Sequence, residues 1–239
     1  LPLEIINQIF DHLSSNDLCT ITRLNSTWHI FGSQRLYKHP KIGTLDQFKK
    51  FIIINQELQS YIHELDLTEV SHYVTDTSLA SLVHLSHLRC VNLSNCMQLS
   101  PNTIHQVIHK SLPTLHKLLL ANCKLSTDIL SLVGRASHLH LMTLDLSNTM
   151  ISPCIAIDSA HHLDSMLTGP IDSSEIVYLD LSFCSWVERQ TVMNIARALP
   201  KLKHIVLQWC NKLKLETMLD LTRHLTYLET VDIRNIHGI

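Results

Sequence analysis

Aliphatic and polar positions in this chain fall into a recurring nine-residue phrase. Aliphatics stand first, fourth and sixth, and a Cys, Thr or aliphatic stands ninth; Leu88 to Cys96 is the clearest copy. Copies begin at Ile62, Leu88, Leu115, Leu141, Ile176, Leu202 and Leu228, in steps of 26, 27, 26, 35, 26 and 26 residues. They end on Val70, Cys96, Cys123, Thr149, Cys184, Cys210 and Ile236. The fourth and sixth positions alternate with polar neighbours, which predicts a short strand that sends two aliphatics to one face. Past each phrase the spacing turns helical: Ile104, Val107, Ile108 and Leu112 share one helix face. One strand and one helix cannot bury their own apolar faces, whereas stacked copies can. The pattern therefore predicts an α/β architecture, with successive parallel strands forming a sheet and helices behind it.

The first forty residues follow a different pattern. Leu1 to Leu13 reads as an amphipathic helix, with Pro2 in its first turn, Glu4 near the positive end of the dipole, and a stripe of Ile5, Ile6, Ile9, Phe10 and Leu13. Ser14 to Asp17 breaks and recaps the chain before a second short helix carrying Leu18, Ile21 and Leu24. Asn25-Ser26 breaks it again ahead of Trp28 and Leu36-Tyr37. Between Lys38 and Ser60, Thr44 and Gln47 have capping-box spacing before a helix with Leu45, Phe48, Phe51 and Ile52. This stretch (residues 41–61) reads as a degenerate first repeat or rigid connection, because a flexible linker would be richer in Gly, Ser or Pro.

Composition narrows the chemistry. The 239 residues are 45% hydrophobic and 17% charged, with a formal net charge of -2, so no global field points to nucleic acid or an anionic membrane. No apolar run reaches the roughly 18 residues of a membrane span, and the opening residues show no signal-peptide pattern. The chain begins on Leu1 rather than Met, so a preceding segment is expected. It stops at Ile239 after a strand phrase, so either further repeats or a frayed end is expected. Four of the seven cysteines close a phrase and none forms a C-x-x-C pair. That spacing places thiols in a row on successive coils, whereas a zinc site needs convergent ligands. Buried thiols in a reducing compartment, cytoplasm or nucleus, are expected instead. His105 and His109 lie four apart, off the apolar face, and read as a solvated helix surface. No metal site, cofactor site, phosphate loop or nucleophile motif is found.

The nine-residue phrase, at a period in the twenties, resembles the leucine-rich repeat. Leu1, Pro2, Glu4, Ile5, Ile6, Ile9, Phe10, Leu13, Asp17, Leu18 and Trp28 together resemble an F-box, at matching spacings over about residues 1–40. Leu24-Asn25 stands where that family often has Val-Cys, and Leu36-Tyr37 where it often has Leu-Trp. The resemblance implies a right-handed leucine-rich-repeat solenoid of about seven repeats over residues 62–239. Strands would line its concave face, helices its convex face, and a small all-α F-box would cap its N-terminus. It also implies a non-catalytic substrate receptor of a Skp–cullin–F-box ubiquitin ligase, which acts by proximity. Adaptor contacts are then expected at Leu1, Pro2, Ile5, Ile9, Leu13, Leu18 and Trp28, and some of these must also hold the helices together.

Target contacts are expected on the outward strand positions and the aromatics at strand ends: Asp145, Tyr178, Asp180, Phe183, His204, Trp209 and Asp232. Repeats of this kind often carry Asp between the two inner aliphatics, so part of that acidic column is scaffold. The long step between Thr149 and Ile176 places an insertion around Thr168 to Ser174, a second candidate for binding. Other readings stay open. The N-terminal helices can be a plain cap, and the repeats can be an interaction scaffold with no role in ubiquitin transfer. A nucleic-acid binder would need a basic stripe, but the outward positions offer only Lys117 and Arg234.

Overall fold

The structure is a computed structural model that describes residues 3–82, 85–126, 129, 132–133, 139–151 and 174–236. It opens with three helices: α1 (Leu3–Asp11), α2 (Ser15–Ile21) and α3 (Ser26–Lys38). The first ends two residues before Leu13, because the amides of His12 and Leu13 fold back to the carbonyls of Ile9 and Phe10. Ser14 then caps α2 in a reciprocal box with Asp17. Asn25 caps α3 by accepting the Trp28 amide at 3.0 Å. Gly32 lets α3 cross α2 closely: a Cβ there would sit 2.7 Å from Thr22 Cγ2.

Two short helices follow, α4 (Leu45–Phe51) and α5 (Gln56–Ser60). The capping box expected at Thr44 and Gln47 forms. Phe48 and Phe51 join the main core, so this stretch is packed structure and not a tether. The His63 amide donates to the Lys38 carbonyl at 3.0 Å, tying the end of α3 to the start of the first strand.

The strands are β1 (Glu64–Asp66), β2 (Cys90–Asn92), β3 (Lys117–Leu119), β4 (Lys124–Leu125), β5 (Thr143–Asp145), β6 (Met150–Ile151), β7 (Tyr178–Asp180), β8 (His204–Val206) and β9 (Thr230–Asp232). Seven of them form one parallel sheet in the order β1-β2-β3-β5-β7-β8-β9, and β4 pairs with β6 separately. Sheet register and phrase register coincide: Leu65 faces Val91, Val91 faces Leu118, Leu118 faces Leu144, and so on to Val231. The fold is thus mixed α/β with a parallel sheet whose neighbours follow chain order. Between strands, among the described residues, lie a 3-10 helix at Thr68–Tyr73 and the helices α6 (Asp76–Ala80), α7 (Pro101–Ser111), α8 (Arg189–Ala198) and α9 (Leu215–His224).

Fourth and sixth phrase positions are buried, as the alternation predicts, from Leu65 and Leu67 through Ile205 and Leu207. On the last coil Val231 and Ile233 are only half-buried. Each fully buried aliphatic contributes roughly 1.5–3 kcal/mol, and one continuous core runs from Ile42 to Ile236. Phe10 and Leu18 are buried outside that cluster, in a small core of their own.

Candidate binding surfaces

On the helical unit, burial separates the residues that could touch a partner from those that hold the helices together. Phe10 is 2% exposed and stacks on Trp28, with ring centroids 5.3 Å apart. Leu18 is 7% exposed, so its side chain packs between helices and offers almost no surface. Trp28 and Leu13 are half-buried. Ile5 and Ile9, one turn apart on α1, are each 41% exposed. Leu24 and Ile30 are exposed too and were not among the expected contacts. Leu1 and Pro2 lie outside the described residues.

On the sheet, the outward column between the inner aliphatics has a local task. Asp145 and Asp180 each accept the backbone amide two residues on, from Ser147 and Ser182, at 2.8 Å. Asp66, Asn92 and Asp232 do the same for Thr68, Ser94 and Arg234. These are Asx turns that end the strands. The acidic column is therefore scaffold at least in part, and on two strands the second oxygen is engaged too, Asp66 by the Asn92 side-chain amide and Asp232 by that of Gln208. Asp232 is further held by Arg234 at 2.7 Å, which brings its carboxyl down to about 2. Asp180 goes the other way: burial raises it against its Ser182 bonds, and the charges of Asp145 and Asp232 add to the rise. Burial, then Asp180 and Asp145, also pushes the Tyr178 phenol up.

The turn after each strand carries a feature the hydrophobic pattern does not report. Asn95, Asn122, Asn148, Phe183, Trp209 and Asn235 all have left-handed backbone, with φ between 50° and 66°. They occupy the eighth position of six consecutive phrases. Each from Asn95 to Trp209 donates its amide to the next coil, as Phe183 does to Gln208 at 2.8 Å. Asn tolerates this conformation, but for a bulky side chain it is an outlier. On three coils the Asn side chains also form a ladder, Asn148 to Asn122 and Asn122 to Asn95. On the next two coils Phe183 and Trp209 replace it, stacked with centroids 5.8 Å apart and 16° from parallel, 52% and 40% exposed. Tyr178 and His204 lie on the same two coils, 6.5 Å apart. Trp186 instead folds inward and donates to the Thr149 carbonyl at 3.2 Å.

The phrase-closing thiols point to the interior. Cys123, Cys184 and Cys210 donate to the carbonyls of Leu93, Leu146 and Leu181 at 3.1 Å. Thr149 instead donates its hydroxyl within its own coil, to the Leu146 carbonyl at 2.7 Å. Burial pushes Cys96, Cys123 and Cys210 up to about 12 and Cys184 to about 11. Among the described residues no cluster of three or more His, Cys, Asp or Glu side chains could hold a metal. His105 and His109 stack on the surface of α7. No described helix is long and apolar enough to cross a membrane. The insertion expected around Thr168 lies outside the described residues, apart from the buried Ser174.

Comparison with known proteins bears on the helical unit. The family model of the F-box domain matches residues 1–39. Residues 1–39 are an F-box domain. F-box protein COS111 of Yarrowia lipolytica (strain CLIB 122 / E 150) is 32% identical over 73 residues, 29% of this chain. The match spans only 13% of that relative's length. The chain also aligns over 92% of its length with 70% of a chain in the crystal structure of the yeast Rad7 and Elc1 complex, at 13% identity. The TM-score there is 0.39, too low to carry an inference. The F-box thus comprises α1, α2 and α3 with its caps, and its exposed aliphatics among the described residues are Ile5, Ile9, Leu24 and Ile30.

Proposed function

We propose that this chain is the substrate receptor of a Skp–cullin–F-box ubiquitin ligase. In this reading the F-box docks on a Skp-type adaptor, which links it to a cullin. The sheet of residues 62–239 is a leucine-rich-repeat solenoid whose strand face holds a target protein. The observation that carries it is the F-box itself: a helical unit with its own small core that still presents aliphatics to solvent, Leu24, Ile30 and, one turn apart on α1, Ile5 and Ile9. A plain cap has no need of that second apolar face. The chain does no chemistry; it shortens the distance between a target lysine and the ubiquitin-bearing partners. Buried thiols closing the coils suit a reducing compartment, and cytoplasm or nucleus is the proposed place of action.

Rigid coupling supports this reading. A receptor must hold its target at a fixed place relative to the adaptor. Here the Lys38 carbonyl takes the His63 amide, and Glu64 of β1 meets His39 at 3.1 Å. The test is co-purification with a purified Skp-type adaptor. The chain should bind it, and the Ile5→Ser/Ile9→Ser pair should lose binding while its melting temperature stays close to the parent's. A well-folded chain that ignores the adaptor would leave only an interaction scaffold.

A further inference from the structure

Phe183 and Trp209 break a rule that the neighbouring coils keep. At the eighth phrase position the turn needs left-handed backbone, and four coils fill it with Asn. Two adjacent coils fill it with large rings that leave Asn's ladder, take up an unfavourable conformation and remain exposed. Neither ring belongs to the buried core, so packing does not explain them. An exposed aromatic stack is a docking surface of the kind that anchors interfaces.

Charge indicates what the stack receives. The outward strand positions flanking the inner aliphatics carry five carboxylates, Glu64, Asp66, Asp145, Asp180 and Asp232, against the cations Lys117 and Arg234. Arg234 is already engaged by Asp232. Asp145 and Asp180 stand directly opposite each other in parallel register, about one strand spacing or 4.8 Å apart. Among the described residues neither has a cationic partner, and Asp180 sits three residues before Phe183. Like charges so placed repel, and a cation from outside would relieve both.

We propose that the Phe183–Trp209 stack and the Asp145–Asp180 pair together dock a cationic segment of the target protein. Arginine or lysine stems lie over the ring faces, and their charges meet the two carboxylates. This rests on the reading of the strand face as the target site, and names the chemistry of what it takes.

Calorimetric titration of the full chain with a hexa-arginine peptide tests it, with hexaglutamate as control. Saturable binding of hexa-arginine is expected, weakening as salt is raised. Phe183→Asn/Trp209→Asn, which installs the residue of the other coils, should abolish it. Asp145→Asn/Asp180→Asn should weaken it by about tenfold or more while keeping the Asx turns, as Asn92 does. Glu64→Gln/Asp66→Asn, at the far edge of the sheet, should leave it unchanged. Should the double Asn turn variant fail to fold, the two carboxylate arms decide the matter. Equal loss in both carboxylate pairs would mean diffuse attraction and overturn the proposal, as would binding that survives without the rings. A chain that shows no saturable binding of hexa-arginine refutes the cationic preference and leaves the adaptor test of the receptor reading untouched.

Discussion

Asn148 reaches Asn122 on the coil before it, and at the matching position of the coil after it stands Phe183. The same backbone turn is thus built from a residue that suits it and then from one that does not. Left-handed backbone costs a bulky L-residue about 1–2 kcal/mol, and Asn less. Phe183→Asn and Trp209→Asn are each expected to stabilise the fold, or at least leave it unharmed. A gain of about 1 kcal/mol would raise the melting temperature by about 2–4 °C in a chain of this size. A marked fall, read by thermal unfolding, would show that the ring stack is structural.

The two apolar cores predict separable damage. Phe10 is buried against Trp28, outside the cluster that runs from Ile42 to Ile236. Phe10→Ala should cost the F-box about 3–5 kcal/mol, enough to unfold a unit of three short helices. Hydrogen exchange should then show α1 to α3 exposed while the amides of β2 to β8 stay protected. Loss of protection throughout would mean that the sheet depends on the F-box for its stability.

The sheet was legible in the sequence because one constraint repeats. An inward aliphatic at phrase positions four and six recurs on every coil, buried on the first six, so seven copies report the same register that the strands adopt. The F-box was legible as a spacing of residue types, yet its surface was not. Leu18 and Ile9 are both aliphatic in the pattern, and only packing shows that the first is buried and the second exposed. The Asx role of Asp145 and Asp180 was likewise hidden, because a carboxylate facing a partner and one bonding its own backbone look alike in a sequence. The eighth-position turn did leave a trace. Asn95, Asn122, Asn148 and Asn235 recur in phase, and that column marks Phe183 and Trp209 as the exceptions.

Asp180 supports a prediction about charge and scaffold together. Its Oδ1 accepts the Ser182 amide and hydroxyl at 2.8 and 2.6 Å. Asp180→Ala removes that turn and should cost about 1 kcal/mol. Asp180→Asn keeps an acceptor and drops the charge. The folded carboxyl is raised above its ordinary 3.8. It therefore binds its proton more tightly in the fold, and it weakens the fold as pH rises from 3.8 through the raised value. At neutral pH Asn should match or exceed the parent in denaturant midpoint, with Ala below both; Asn falling alongside Ala would mean that the charge is required.

His63 works with the opposite sign. Its Nδ1 is buried without a hydrogen-bond partner among the described residues. Burial lowers its pKa from 6.5, and the charges of Arg89, Lys38, His39 and His87 lower it further. The unfolded chain therefore takes up a proton near pH 6.5 that the fold resists, and stability is lost as pH falls below that value. His63→Leu, which has no proton to gain, should flatten this part of the pH–stability curve between about pH 7 and 5. An unchanged slope in chemical denaturation would place the titrating group elsewhere.

Thiol reactivity completes the set. Cys19 is exposed, whereas Cys96, Cys123, Cys184 and Cys210 are buried, with pKa values pushed up to about 11 or 12. The thiolate is the nucleophile, so at neutral pH these four should resist iodoacetamide in the folded chain and react once it is denatured. Among the described cysteines, mass mapping should find Cys19 modified first. Cys184 sits where Thr149 stands one coil earlier. Its thiol donates across to the Leu146 carbonyl of that coil, whereas the Thr149 hydroxyl donates within its own coil, so a threonine at 184 has the Leu181 carbonyl as its matching acceptor and keeps a hydrogen bond. Cys184→Thr should therefore be tolerated better than Cys184→Ala, which leaves a cavity and gives up that bond. Equal loss of stability in the two would show that volume, not the hydrogen bond, sets the choice at the end of each strand phrase.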